Sequence, residues 1–295
     1  MLKNFIHISL IYIGLCHNIL EGKKIRTNPK KENFSYDVVI IGAGWAGLGA
    51  GNALISQGIT NFQILEARDR IGGRSKTVYD FGENIPIDLG SEWVTGASNN
   101  PIYDIVLKNN IPSSKEDYVF DVYRPNGKKI NRHVARALMS GYFESFSLYQ
   151  KFRQKTDKID KSLQTVMDDF KYLLPFQIYG RFLFCTFVES FIKTGVGGDA
   201  SDMSLKYHSS NSPNVGGEVI MGVPNGGYKT IIDKYAESIL PKVKLESKVT
   251  KIDYSTIPVN VTYEEPNGTL TFVQADKVIL TIPIGVLRKG MQKYV

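Results

Sequence analysis

The sequence predicts an α/β protein that opens with a βαβ unit, and three features of its first third predict it. Residues 38–41 form an apolar run suited to a parallel strand that is buried on both faces. The glycine-rich segment 42–47 follows, and small residues continue a helical pattern to about Gly58. A second apolar segment, residues 62–65, ends in the acidic Glu66. Strand, glycine turn, helix, strand and carboxylate thus occur in the order of a Rossmann-type βαβ unit.

Each glycine of the G-x-G-x-x-G segment has a separate physical role. Gly42 permits the tight turn, Gly44 lets a pyrophosphate approach the backbone, and Gly47 lets helix and strand pack closely. The helix that starts near Gly44 presents free N–H groups and a positive dipole end to that pyrophosphate. Glu66 follows the last glycine by about 20 residues, where this fingerprint places a carboxylate on the adenosine ribose. The carboxylate suits a free 2′-hydroxyl, so FAD or NAD is favoured over NADP. The alternative interpretation is a glycine turn in an unrelated α/β unit. The cofactor-binding residues predicted in this unit are Gly42, Ala43, Gly44, Trp45, Ala46, Gly47 and Glu66.

The composition argues against several classes of function. The net charge is +7, but residues 1–32 contain six basic and two acidic residues, so the remainder carries only +3. No clustered basic stripe of the kind that nucleic-acid binding needs is present in the sequence, and no nucleic-acid partner is predicted. The two cysteines, Cys16 and Cys185, lie far apart and form neither a disulfide framework nor a zinc-binding spacing, so no metal is predicted.

The first 20 residues are interpreted as a secretory signal peptide. Lys3 precedes an apolar run over residues 5–20, which His7, His17 and Asn18 interrupt. This run is too short and too polar to predict a membrane span. An uncleaved membrane anchor formed by residues 5–20 is the alternative. Residues 21–35 are polar and charged and are interpreted as a linker.

The rest of the chain divides into three predicted segments. Residues 36–110 and 209–295 are predicted to form two parts of one cofactor-binding domain, with a mainly helical substrate domain over residues 111–208. Apolar and aromatic residues at three- and four-residue spacing predict helices within residues 133–193, and Pro101 starts a short helix. Asn-Gly turns at Gly127 and Gly268 predict two hairpins. A separate last strand is predicted over residues 276–282.

Several motifs, taken in order, resemble the FAD-dependent amine oxidases, and within them the polyamine oxidases. The resemblance covers about residues 36–290. Its motifs are residues 37–47, residues 65–74, Asp88-Leu89-Gly90 with Trp93, Gly226-Gly227-Tyr228, Val249, and residues 281–287.

This resemblance implies a fold and a cofactor. The fold would be a FAD/NAD(P)-binding Rossmann-like domain of the glutathione-reductase type, built from separated segments, with an inserted α+β substrate domain. Glu66 would hold the ribose of FAD, and Arg74 would reach its phosphates. Residues 90–93 would run beside the isoalloxazine, and Val249 would meet the adenine through its backbone. The cofactor contacts expected in addition to the glycine turn are therefore Glu66, Arg74, Gly90, Ser91, Trp93 and Val249.

The resemblance also implies a reaction. An amine would be oxidised by hydride transfer to FAD, and dioxygen would then reoxidise the flavin and give hydrogen peroxide. Thr95 occupies the substrate-facing position where many polyamine oxidases carry an acidic residue or a histidine. Lys289 and Lys293 come too early to be the family's active-site lysine, which is expected beyond Val295, so no catalytic residue is assigned. Two alternatives stay open: a related flavoprotein, such as an amino-acid oxidase or a desaturase, and an inactive protein that keeps part of the flavin fold.

Overall fold

The computed structural model describes residues 30–96, 100–115, 121, 123–124, 126–134, 160–162, 164–165, 168, 193, 197–204, 220–223, 225–255 and 257–291. The chain separates into two compact units, residues 1–116 with 216–295 and residues 117–215. The predicted boundaries after residues 110 and 208 lie a few residues before the observed divisions after residues 116 and 215. The predicted signal peptide and most of the predicted helical stretch 133–193 lie outside the described residues.

The first unit contains eleven described strands and four described α-helices. The strands are β1 (Lys30–Ile41), β2 (Phe62–Leu65), β3 (Thr77–Val78), β4 (Ile87–Asp88), β5 (Trp93–Thr95), β6 (Ser114–Lys115), β7 (Ile220–Gly222), β8 (Val243–Lys244), β9 (Lys248–Asp253), β10 (Val259–Glu264) and β11 (Leu270–Leu280). The helices are α1 (Trp45–Ser56), α2 (Pro101–Lys108), α3 (Lys229–Ala236) and α4 (Ile284–Met291). None of the helices in the described part of the chain combines the length and apolarity that crossing a bilayer requires.

A six-stranded sheet in the order β8-β2-β1-β11-β10-β9 forms the centre of this unit. Strands β8, β2, β1 and β11 are parallel, whereas β10 is antiparallel to both of its neighbours. Alternate residues of β1 reach different cores: Val38 and Ile40 belong to one apolar cluster, and Val39 and Ile41 to the other. This confirms the predicted strand buried on both faces and the α/β class with a parallel-rich sheet.

The position of β1 explains why the fold makes a ligand site. The chain runs from β1 through α1 to β2 on one side, while β11 lies on the other side of β1. In an open α/β sheet, the loops diverge at such a switch of direction and leave a crevice at the carboxyl ends of the strands. Residues 42–47 follow the carboxyl end of β1, so they lie at this point.

Three strand predictions need correction. β1 begins at Lys30, inside the segment 21–35 interpreted as a linker, because its first residues pair with Thr271 and Phe272 of β11. The two strands predicted on either side of Gln274 are one strand, β11, which pairs antiparallel with β10 and parallel with β1. The predicted substrate segment also contributes β6 to a sheet ordered β5-β7-β6.

Two hairpin predictions are confirmed. Gly268 has φ +80°, and its N–H donates to the carbonyl of Glu265 at 2.8 Å, which closes the turn between β10 and β11. In the second unit, Gly127 has φ +77° and donates to the carbonyl of Arg124 at 2.9 Å. Positive φ at both positions is the reason that these turns use glycine.

Candidate cofactor site

The turn between β1 and α1 requires glycine at two positions. Gly42 has φ +102°, and its N–H donates to the carbonyl of Leu65 at 2.8 Å, which joins the turn to the end of β2. A Cβ on Gly47 would lie 1.8 Å from the carbonyl oxygen of Gly42. No side chain fits in that space, so α1 packs directly against the turn.

The N-terminus of α1 is open to an anion. Its N-cap, Gly44, has extended backbone geometry and contributes no side chain, and the first turn contains no acidic residue. The N–H groups of Trp45 and Ala46 therefore lack an intrahelical acceptor. Such a terminus favours a phosphate both by hydrogen bonding and through the helix dipole.

A second glycine turn packs against the first. Gly72 donates its N–H to the carbonyl of Ala43 at 2.8 Å, and a Cβ on Gly73 would lie 3.1 Å from the Cα of Gly44. Arg68 and Arg70 both donate to the carbonyl of Gly73, at 3.1 and 2.8 Å. These two arginines hold the second turn in place, a role that the sequence did not reveal.

Arg74 differs from the two arginines that precede it. Its side chain is exposed and makes no hydrogen bond or ion pair with another residue in the described part of the chain. A guanidinium group in this position suits a phosphate, because it offers several donors in one plane.

Glu66 lies directly beside the glycine turn. The residue is 7% exposed, and its Oε2 accepts from the N–H of Ala43 at 2.7 Å. Oε1 accepts from the N–H of Arg68 at 3.0 Å. An ionised carboxylate has about four acceptor sites, so capacity is left for the hydroxyls of a ribose. The same side chain therefore braces the turn and keeps acceptor capacity for a ligand.

Gly90 and Ser91 lie on the other side of the second glycine turn, and residues 66–75 with 90–91 are called here the wall of the site. Gly90 has φ +149°, and a Cβ there would lie 2.1 Å from the carbonyl oxygen of Arg74. Ser91 is half-buried, and its Oγ lies 2.7 Å from Oγ of Ser75. The backbone of residues 72–75 thus separates the first glycine turn from residues 90–91 and contacts both.

Trp93 and Thr95 lie on β5, outside the central sheet. Both are exposed and alternate with Val94, which is buried, so they share one face of the strand. They pair with Gly222 and Ile220 of β7. Thr95 consequently lies on the same face as the predicted flavin neighbour, Trp93.

Val249 lies on β9, at the edge of the central sheet, opposite Tyr263 of β10. The segment that leads to it passes Glu66, since the N–H of Ser247 donates to the carbonyl of Glu66 at 2.7 Å. The structure therefore brings the segment that leads to Val249 beside the backbone of Glu66, the residue predicted to hold the ribose.

The motif Gly226-Gly227-Tyr228 packs against the β3–β4 hairpin. The carboxylate of Asp88 accepts from the N–H of Tyr228 at 2.9 Å, and Thr77 Oγ1 accepts from the N–H of Lys229 at 3.0 Å. These two side chains together cap α3, which has no capping side chain of its own. Burial of the Tyr228 phenol, followed by the negative charge of Asp88, raises the pKa of Tyr228 to about 12. A helix start with no local cap is the sequence signal that could have indicated this partner.

Thr281 begins the motif 281–287, but no role at the glycine turn was predicted for it. It follows β11, and its hydroxyl lies 2.8 Å from the carbonyl oxygen of Ile41 and 3.1 Å from that of Gly42. A Cβ on Gly42 would meet this hydroxyl at 2.9 Å. The absent side chain of Gly42 thus makes room for a residue from the far end of the chain.

These features fit an adenine dinucleotide. An open helix N-terminus, a cradle that glycine side chains leave unfilled, a buried carboxylate with spare acceptors and an exposed arginine lie along one edge of the sheet. In the described part of the chain, no group of three or more His, Cys, Asp or Glu side chains is arranged to hold a metal ion.

Comparison with known proteins identifies relatives of this chain. Residues 45–293 match the sequence profile of the family described as flavin containing amine oxidoreductase. The chain is 28% identical over 297 residues to probable polyamine oxidase 4 of Arabidopsis thaliana, covering 94% of this chain and 56% of that protein. It is 28% identical over 270 residues to lysine-specific histone demethylase 2 of Homo sapiens, covering 88% of this chain and 31% of that protein.

Solved structures share the fold. A putrescine oxidase variant has a TM-score of 0.62 and 19% sequence identity, covering 87% of this chain and 60% of that one. The chain spans about half the length of the curated polyamine oxidases that it matches.

Proposed function

The chain belongs to the flavin-containing amine oxidoreductases, whose cofactor is FAD, and we propose that it is part of an amine oxidase acting on polyamines. The observation that carries the proposal is the contact between the glycine turn and Glu66 at 2.7 Å, which supports a ligand whose diphosphate and ribose would lie side by side. The relatives named as polyamine oxidases support the substrate class.

The chain's own residues supply the binding site. The N–H groups at the start of α1 and the side chain of Arg74 would hold the diphosphate, while Glu66 would accept hydrogen bonds from the ribose. When bound, FAD would supply a two-electron acceptor for hydride from the carbon beside the amine nitrogen, and dioxygen would accept the two electrons in turn and give hydrogen peroxide. The exposed face of Trp93 and Thr95 would border the amine. Thr95 offers a hydroxyl and no charge, so this position contributes no ion pair to a polycation.

The test measures flavin and peroxide separately. The full chain is purified, its flavin absorbance is recorded, and peroxide release is followed with spermine, spermidine and a monoamine. Yellow protein that releases peroxide with the two polyamines supports the proposal. A yellow protein inert toward every amine would favour an inactive flavin-binding protein, and a colourless one would contradict FAD binding by this chain. A peptide carrying a methylated histone lysine serves as a further substrate, because some relatives are named histone demethylases.

Two alanine variants of α1 form a matched pair. In Gly47→Ala, the new Cβ would lie 1.8 Å from the carbonyl oxygen of Gly42, so the turn must deform and FAD should be lost. In Gly49→Ala, the nearest heavy atom is the Tyr235 hydroxyl at 3.5 Å, an ordinary contact. Gly49→Ala should keep FAD. Equal retention of FAD by both variants would contradict the assignment of this turn.

We also propose that the protein enters the secretory pathway. The charged start and apolar middle of residues 1–20 support this. Asn267, in an Asn-x-Thr sequence, is exposed at the tip of the β10–β11 hairpin. Mass spectrometry of the protein from a secreting host should find glycan at Asn267 and a new N-terminus. An unmodified Asn267 with the first 20 residues intact would contradict secretion.

A further inference from the structure

A chain of hydrogen bonds links α1 to the segment after β4. The indole N–H of Trp45 donates to Oγ of Ser75 at 2.9 Å, and Oγ of Ser75 lies 2.7 Å from Oγ of Ser91. We call these three side chains the hydroxyl relay. Ser75 is 2% exposed, so water does not substitute for its partners.

Hydrogen-bond satisfaction fixes the direction of the relay. An indole nitrogen only donates, so Ser75 must accept from Trp45. The hydroxyl proton of Ser75 then needs an acceptor of its own, because a buried donor without a partner is costly. Among the described residues, Ser91 Oγ is the acceptor that the structure provides. Ser75 therefore donates to Ser91, and the proton of Ser91 is directed away from Ser75.

The end of the relay lies on the wall of the cofactor site. Ser91 is half-buried and follows Gly90, which contacts the backbone of Arg74. The other end is fixed by packing: the Trp45 ring meets that of Tyr228 edge-on, with centroids 6.1 Å apart, and lies 5.5 Å from that of Tyr235. A rigid donor at the start sets the orientation of both hydroxyls that follow.

We propose that Trp45 and Ser75 are positioning residues that hold the Ser91 hydroxyl as a hydrogen-bond donor to bound FAD. The inference rests on the proposed function only for the identity of the ligand. Trp45 then has two roles. Its backbone lies at the N-terminus of α1, and its side chain acts through Ser75 on Ser91, 46 residues further along the chain.

The test is a double-mutant cycle on FAD affinity, measured by quenching of flavin fluorescence. Ser91→Ala removes the donor and should weaken FAD binding about 3- to 10-fold, the effect of one neutral hydrogen bond. Trp45→Phe keeps an aromatic ring between Tyr228 and Tyr235 but removes the indole donor, so it should weaken binding by a similar or smaller factor. In the double variant, Trp45→Phe should add no further loss, because its effect passes through Ser91.

A second measurement reports on the relay without FAD. In the NMR spectrum of the apoprotein, Ser75→Ala should shift the indole proton of Trp45 and speed its exchange, whereas Ser91→Ala should leave its exchange slow. The inference is overturned if Trp45→Phe lowers FAD affinity equally in the parent and in the Ser91→Ala background. It is also overturned if Ser91→Ala binds FAD as tightly as the parent, or if the parent binds no FAD. A parent that binds FAD but oxidises no amine would contradict the proposed activity alone, and the binding cycle would still decide the relay.

Discussion

Glu66 offers the sharpest test of the site, because its two carboxylate oxygens face two backbone donors with different access to water. Ala43 is 0% exposed, so its N–H has Glu66 Oε2 as acceptor and no route to solvent. Arg68 is exposed, so water can replace Oε1 as the acceptor of its N–H. Removing the whole carboxylate should therefore lower the free energy of unfolding by a different amount from removing only its charge.

The magnitudes follow from those two donors. Glu66→Ala leaves the Ala43 N–H buried and unpaired and should lower the free energy of unfolding by about 2–4 kcal/mol. In Glu66→Gln, the amide oxygen can still accept from the N–H of Ala43. The amide nitrogen then faces the N–H of Arg68, which needs water as its acceptor. The cost should then be about 1–2 kcal/mol, the difference between a charge-assisted and a neutral hydrogen bond.

Urea unfolding of the apoprotein, followed by tryptophan fluorescence, measures both losses. Glu83→Gln is the matched control, because Glu83 is exposed in the turn between β3 and β4 and should change stability by less than about 0.5 kcal/mol. Two results would contradict the role of the Ala43 donor: Glu66→Ala as stable as the parent, or Glu66→Gln destabilised as much as Glu66→Ala. The second outcome would show that charge, and not satisfaction of the Ala43 donor, stabilises the turn.

Two further predictions concern residues that the folded chain brings to the site. Thr281→Val removes the hydroxyl beside the carbonyl oxygens of Ile41 and Gly42 and should cost about 1–2 kcal/mol of unfolding free energy in urea, while Thr281→Ser should match the parent; equal losses would contradict the hydrogen bond. Because the pKa of Tyr228 is raised from 10.0 to about 12, the folded state holds this proton more tightly than the unfolded state. The contribution of the protonated Tyr228 phenol to the stability of the folded state is therefore complete below pH 10 and is lost as the pH rises to about 12. Asp88→Asn should lower this pKa in an ultraviolet titration referenced to Tyr228→Phe, and an unchanged midpoint would exclude the charge of Asp88 as a cause.

The sequence predicted the elements whose signals are local. Four apolar residues in a row identified the core of β1, because a parallel strand covered on both faces needs no polar side. The bounds of α1 followed from a glycine turn and small residues, and the hairpin at Gly268 followed from an Asn-Gly pair. It missed that β11 is continuous through Gln274, because β1 pairs with β11 along almost its whole length whereas β10 pairs only with residues 270–275, so the surroundings of the strand change midway.

Local sequence was enough to predict the opening βαβ unit and the residue types of its turn, because φ/ψ demands and strand periodicity are properties of neighbouring residues. Which side chains brace that turn depends on how distant segments pack together. Thr281 reaches Gly42 across most of the chain, Asp88 caps a helix that starts after Tyr228, and Ser75 receives the indole N–H of Trp45. Each of these is a hydrogen bond between segments that only sheet order and helix packing bring together. A motif that marks such a residue therefore gives its position but not its partner.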